Sequence, residues 1–209
     1  MNKPIFCIVG ESGAGKSTYI NLLLANKKYK LKELKYCSTR SKRYKEEDTY
    51  YFMTNDEYFD ILNNRPEDII ESRMYEKYDE KVYYFTLKEN LEDDDCDAFI
   101  CASSVDQTLS YIDKLKNVYI IDLKVNIKER IKRLLERANT YNDVLELCRR
   151  ILEEQEEYSK IEDINTNIIH IYNDNSQYKF SGDGDMLYRL ITSTNLNTIK
   201  EYIFSRIKK

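Results

Sequence analysis

The chain has 209 residues, 42% of them hydrophobic and 33% charged, with a formal net charge of −4. That is enough apolar material for one α/β domain with small insertions, and it excludes a wholly disordered chain, while 5 Gly and 2 Pro exclude collagen-like and low-complexity chains. The acidic balance argues against nucleic acid as a partner, and no apolar run approaches the roughly 18–20 residues of a membrane helix, so no membrane partner or leader is expected.

In chain order, Pro4–Val9 is a short apolar run without helical period, followed by a glycine loop and a helical pattern over Ser17–Asn26 with Ile20, Leu23 and Leu24 on one face. The spacing predicts strand, loop and helix. Asn26–Lys35 is basic and reads as a solvated helix end and loop. Tyr36–Thr86 has a different composition, holding nine of the 19 tyrosines, and reads as an inserted subdomain. Glu92–Asp97 reads as an acidic turn ahead of the apolar run Ala98–Ala102. Further strands are expected at Val118–Ile121 and Ile168–Tyr172. Strands alternating with helices predict a parallel sheet covered on both faces. The helix after Val118–Ile121 is expected to start at Asn126 as N-cap, with Glu129 as its reciprocal partner. Asp143–Lys160 is a long charged helical pattern, Ser176–Asp185 reads as a turn-rich loop, and a final helix is expected around Leu196–Ile207.

Cys7, Cys37, Cys96, Cys101 and Cys148 form no CxxC pair, and with His170 as the single histidine there is no zinc pattern. They read as reduced thiols, and a cytoplasmic location is expected.

The sharpest signal is Gly10-Glu11-Ser12-Gly13-Ala14-Gly15-Lys16-Ser17, a GxxxxGK[ST] loop after a strand and opening a helix. Three of the five glycines fall within six residues, in a chain where average usage gives about 15 glycines. Random placement yields about 0.001 such matches in a chain of this composition. Glycines let backbone N–H groups form an anion nest, and the helix adds the positive end of its dipole. Lys16 supplies a cation for the β- and γ-phosphates, and the Ser17 hydroxyl is a ligand for Mg²⁺. Gly10, Ser12, Gly13, Ala14, Gly15, Lys16, Ser17 and Thr18 are therefore the expected ATP-binding set.

Four uses of such a loop compete: a GTPase switch, a motor ATPase, a small-molecule kinase and a binding module that keeps the loop as a relic. The chain lacks the DxxG and NKxD patterns of a GTPase. A motor ATPase needs a carboxylate at the end of a second strand, for which Asp122 is the candidate. A kinase needs a second anion site and arginines that close over the transferred group. Cys37–Phe52 (CSTRSKRYKEEDTYYF) offers Arg40 and Arg43 beside Ser38 and Thr39, with Glu46 and Tyr50 following, so that two guanidiniums and a phenol can hold one phosphate. Arg133, Arg137 and Arg149 bracket Ala138–Asp143, which reads as a lid.

Together these residues resemble the guanylate kinase family, over nearly the whole chain to about Asn175. Cys37–Glu46 followed by Tyr50-Tyr51-Phe52 is similar to the family's S-T-T-R-x-x-R-x-G-E segment leading to Y-x-F. Glu71 and Tyr84-Phe85-Thr86 look like its base-reading glutamate and Y-G-[ST] strand. Arg133-Leu134-Leu135-Glu136-Arg137 with Arg149 is similar to its lid, and Asn173-Asp174 to its Asn-Asp after the last core strand. The chain departs from the family at Tyr36, at Lys45 and Phe85 in place of glycines, in the longer spacing from Glu71 to Tyr84, and at Ser103-Ser104 in place of a D-x-D, with Asp106 nearby. The resemblance implies an α/β P-loop core with parallel sheet over 1–35, 87–137 and 151–209, a nucleoside-monophosphate-binding subdomain over 36–86 and a lid over 138–150. It implies ATP- and Mg²⁺-dependent phosphorylation of GMP or dGMP, with Ser38, Arg40, Arg43, Glu46, Tyr50, Glu71, Tyr84 and Thr86 on the acceptor, and Lys16, Arg133, Arg137 and Arg149 as catalytic residues. Another acceptor, such as a different nucleotide or a phosphorylated sugar, and a peptide-holding scaffold of the same fold remain open alternatives.

Overall fold

The computed structural model describes residues 3–25, 30–77, 80–164, 168–173 and 184–207. Its centre is β1 (Ile5–Val9), whose five residues are all buried. Side chains alternate across a strand, so burial of both faces requires a layer on each side. β1 lies in the middle of a five-stranded sheet with β2 (Leu31–Glu33), β7 (Ala98–Ala102), β8 (Val118–Lys124) and β9 (Ile168–Tyr172), in the order β2-β7-β1-β8-β9. Every pairing in it is parallel.

On one face Ile5, Cys7 and Val9 join Phe99, Cys101, Val118 and Ile120 beneath Val105 and Tyr111 of α3 (Val105–Lys114) and Tyr158 of α5 (Tyr141–Ser159). On the other, Phe6 and Ile8 join Ile100, Ile121 and Ile171 beneath Tyr19, Ile20 and Leu23 of α1 (Lys16–Leu24) and Ile199 and Ile203 of α6 (Gly184–Ile207). The parallel order sends the carboxyl ends of β1, β7 and β8 to one edge, where open α/β sheets bind ligands. The glycine loop follows β1 there.

A second, four-stranded sheet runs in the order β4-β3-β6-β5, from β3 (Cys37–Ser38), β4 (Tyr51–Phe52), β5 (Ile69–Lys77) and β6 (Glu80–Leu87). The antiparallel β5–β6 hairpin extends to the pair Lys77 and Glu80, which accounts for the long spacing between Glu71 and Tyr84. Its core packs Cys37, Ile69, Phe85 and Leu87 against Tyr58 and Ile61 of α2 (Asn55–Asn64). α2 begins with a capping box between Thr54 and Glu57. Phe85 is fully buried and lies against Tyr58, ring centroids 4.9 Å apart.

Some sequence expectations need correction. Leu31–Glu33, in the basic stretch read as helix end and loop, is the edge strand β2 beside β7; residues 26–29 lie outside the described residues. Asn126 caps α4 (Ile127–Leu135), but its side chain accepts from the Lys128 amide, and Glu129 pairs with Arg133 instead of closing a capping box. Gly184 and Asp185 open α6, so the final helix starts twelve residues before Leu196; residues 174–183, which hold Asp174 and most of the expected turn-rich loop, lie outside the described residues. All five cysteines are free thiols, and only Cys148 is exposed. No helix among the described residues is long and apolar enough to cross a membrane.

The buried ring at Phe85 sets a test for the second sheet. Phe85→Ala is expected to cost about 3–5 kcal/mol of stability in urea unfolding, the usual loss for emptying a fully packed aromatic site; a loss below about 1 kcal/mol would contradict this packing.

Candidate active site

The loop from Gly10 to Gly15 has a left-handed backbone at all three glycines, with φ of 148° at Gly10, 84° at Gly13 and 97° at Gly15. A Cβ on Gly10 would stand 2.7 Å from the Leu123 carbonyl oxygen of β8, so that position also needs glycine on steric grounds. Three consecutive loop carbonyls are held from behind. The Arg130 Nε donates to Ser12 O (3.0 Å), an Arg133 terminal nitrogen to Gly13 O (3.2 Å), and Asn173 Nδ2 to Ala14 O (2.8 Å). In a planar trans peptide the carbonyl and the next N–H point in opposite directions, so the amides of Gly13 and Gly15 face away from these donors. The Ala14 amide closes a turn on Glu11 O at 3.1 Å. Lys16, Ser17 and Thr18 form the first turn of α1, whose N–H groups have no partner within the helix. This is an anion-binding surface.

Lys16 donates through Nζ to Gly10 O and, at 3.4 Å, to Glu11 O. Burial pulls its pKa below the ordinary lysine value, opposed by the nearby Glu154. Glu154 of α5 accepts from the Ser12 amide at 2.6 Å and from the Ser12 hydroxyl, and Arg130 pairs with Glu11. A carboxylate of the chain itself thus sits on the loop. Ser17 and Thr18 are exposed.

The loop forms one end of a cleft of about 440 Å³. Gly10, Glu11 and Lys16 line that end; Tyr50, just before β4, and Arg73 and Tyr84 of the second sheet line the other, and Ser103, Ser104 and Gln107 lie between. From α5, Arg150, Glu154 and Tyr158 complete the wall.

In the second sheet, cross-strand register sets Glu71 opposite Thr86 and Arg73 opposite Tyr84. Tyr50 packs edge-on to Tyr84, with centroids 5.5 Å apart. Glu71 and Thr86 are buried beneath the cleft wall and bonded to each other at 3.3 Å; Gln107 Nε2 donates to the same Glu71 oxygen at 3.0 Å. Burial raises the Glu71 pKa, opposed by the Arg73 charge. Arg40 is gripped at both terminal nitrogens by Glu47, and its guanidinium lies 5.0 Å from the ring centres of Tyr50 and Phe52. Its amide donates to the buried Ser38 hydroxyl at 3.3 Å. Glu47 also accepts from the Arg43 amide at 2.7 Å. Hydrogen bonds from Arg40 hold the Glu47 carboxyl down at about 2.

Sequence reasoning selected Glu46, which is exposed and makes no hydrogen bond among the described residues; the carboxylate that organises this turn is the adjacent Glu47. It also missed Arg130, whose only signal was its position one helical turn before Arg133 on α4. Arg133 spends its three nitrogens on Glu129, Gly13 O and Asn173 O, so it braces the loop. Arg137 is exposed. Arg149 is held by Glu146 and Glu153 on the exposed side of α5, and its neighbour Arg150, not selected, lines the cleft. Ser104 caps α3 through the Gln107 amide, and Asp106 is tied to Lys160 outside the cleft wall. Tyr36 lines the cleft and donates to Ala102 O at 2.9 Å. Asp122, the candidate ATPase carboxylate, is fully buried and accepts from Tyr158 and from His170 Nδ1 at 2.6 Å, so it is not open to an ion at the loop. No cluster of three or more His, Cys, Asp or Glu among the described residues could hold a metal ion.

A family model described as an AAA domain matches residues 1–176. The chain belongs to the AAA domain family. No curated protein matches this AAA domain in sequence. Among solved structures it is similar to the crystal structure of guanylate kinase from Anaplasma phagocytophilum, with a TM-score of 0.52 and 18% identity over 92% of this chain and 86% of that one. At that identity the likeness is one of fold. The AAA domain here has a P-loop kinase fold, a five-stranded parallel sheet with helices on both faces, and its loop is a nucleotide-binding one.

Two outcomes follow from the charges. Glu47 has a folded pKa of about 2 against an ordinary 4.5, so its contribution to stability is complete above about pH 4.5 and is lost as pH falls toward 2. Glu47→Gln is expected to flatten that part of the acid-unfolding curve; an unchanged acid limb would contradict the assignment. Glu154→Gln is expected to tighten ATP binding several-fold in calorimetry, because it removes a negative charge that engages Ser12; weaker binding would show that Glu154 supports the loop instead.

Proposed function

We propose that the chain is an ATP-dependent nucleoside monophosphate kinase that phosphorylates GMP or dGMP. The observation that carries this reading is the single cleft with Lys16 and the glycine loop at one end and the Tyr50, Tyr84 and Arg73 wall at the other. A pure ATPase has no use for that second wall. In this reading residues 36–86 are the acceptor-binding subdomain and 138–150 the lid over a core of 1–35, 87–137 and 151–209.

The loop amides and Lys16 bind the donor's β- and γ-phosphates. Ser17 is an exposed hard oxygen donor at the first turn of α1, which suits an Mg²⁺ ion carried by the nucleotide; when bound, that ion offsets phosphate charge. Arg40, Arg43 and Tyr50 are the acceptor-phosphate residues in this reading, with Ser38 beneath them; Tyr50 lines the cleft as it stands, whereas Arg40 and Arg43 do not, and the Arg40 fork is occupied by Glu47. Tyr84 flanks the acceptor ring, with Glu71 and Thr86 behind it. Arg137, just before the lid segment, and Arg149 within it match the guanylate kinase pattern for closing over the transferred group, and Arg150 lines the cleft. Lid closure excludes water, and catalysis rests on positioning and charge neutralisation rather than on a covalent intermediate.

The AAA domain match favours a second reading, ATP hydrolysis without an acceptor. A coupled ADP-release assay with Mg·ATP and a panel of nucleoside monophosphates separates the two. Acceptor-dependent turnover, highest with GMP and dGMP, and reduced at least about 100-fold by Lys16→Ala, is expected. ADP release that is indifferent to every acceptor would establish the ATPase instead, and ATP binding without any turnover would establish a binding module.

A further inference from the structure

The cleft presents a cation where the resemblance implies a carboxylate. Glu71 is nearly inaccessible, its side chain 2% exposed, and its oxygens are already engaged: one accepts from Thr86 and Gln107, and the other lies 3.2 Å from Arg73 Nε. A carboxylate so occupied has little capacity left for ring N–H donors of a ligand. Arg73 differs on each count. Its side chain is 27% exposed and lines the cleft beside Tyr84 and Tyr36. Its Nε is buried with no hydrogen bond of good geometry, so its link to Glu71 is one of charge, and its terminal nitrogens have no hydrogen-bond acceptor among the described residues. Neutralising Glu71 alone would not require Arg73 to line the cleft. β-strand alternation from Glu71 places Arg73 on the cleft face of β5, directly across from Tyr84 of β6.

We propose that Arg73 is the specificity-determining residue of the acceptor site, donating to a carbonyl oxygen and ring nitrogen of the base, so that the site selects oxo-bearing nucleobase monophosphates and does not read the 2-amino group of guanine. This rests on the cleft being an acceptor-nucleotide site, as proposed above. A guanidinium fork matches the paired acceptors of a 6-oxopurine, whereas a 6-amino group turns its donors toward Arg73 and leaves both sides unsatisfied. Glu71 then acts as a positioning residue, holding the fork by its charge.

The test is calorimetric binding of GMP, IMP, AMP and 2-aminopurine riboside monophosphate to the full chain, with turnover of each measured in parallel. IMP is expected to bind within about threefold of GMP, and AMP and the 2-aminopurine nucleotide about 10–100-fold more weakly. Arg73→Met is expected to collapse the GMP-to-AMP ratio toward one. If that single variant fails to fold because it strands a buried carboxylate, Glu71→Gln with Arg73→Met removes both charges and is expected to show the same collapse. GMP binding about 100-fold tighter than IMP, an unchanged GMP-to-AMP ratio in the variants, or binding of none of the four nucleotides would overturn the inference. Oxo-selective binding without turnover would leave it standing and contradict the kinase reading alone.

Discussion

A phosphate-binding loop works only if its carbonyl oxygens are turned away from the anion, and here that constraint falls on three consecutive residues. Arg130 and Arg133 from α4 and Asn173 from the end of β9 each donate to one of the carbonyls of Ser12, Gly13 and Ala14. The three donors come from segments far along the chain, and parallel pairing of β8 and β9 beside β1 brings them behind the loop. Asn173 is further tied to Tyr19 at 3.0 Å and to Lys124 O at 2.7 Å, so the loop is fixed to both α1 and the sheet.

Charge is arranged around the same loop in a chain of carboxylates and guanidiniums. Glu11 and Glu154 face Arg130, which is itself buried, and Glu154 reaches the Ser12 amide. Breaking a buried pair by removing one partner is costly, so the Arg130 pairs hold their carboxylates against the loop. An incoming phosphate has to displace the Glu154 carboxylate from the Ser12 amide, while the braced carbonyls keep the loop itself in place. The second sheet uses the same device at Glu47, whose carboxylate holds the Arg40 fork before any acceptor is present.

The sequence discloses those features whose physics is local. The GxxxxGK[ST] spacing dictates loop, helix and anion site within eight residues, and β1, β7 and β8 are legible because burial on both faces leaves nearly continuous apolar runs. β2 is hidden because an edge strand of three residues, Leu31, Lys32 and Glu33, is exposed along most of its length. Glu46 and Glu47 are adjacent identical residues, and which of them turns inward depends on the turn after Arg43, which periodicity does not encode; Arg149 and Arg150 are both exposed and both paired with Glu146, and the docking of α5 decides that Arg150 borders the cleft. Arg73 was invisible for a related reason. Its meaning depends on facing the cleft beside Glu71, and that follows from the β5–β6 register.

The central claim is that one cleft holds a phosphate donor and a phosphate acceptor at the same time. Calorimetric titration with an adenosine–guanosine dinucleotide bridged by five phosphates, in the presence of Mg²⁺, addresses it directly. One-to-one binding at least about 100-fold tighter than that of ATP is the result this account predicts, because two linked sites gain from effective concentration. Binding no tighter than that of ATP would contradict it.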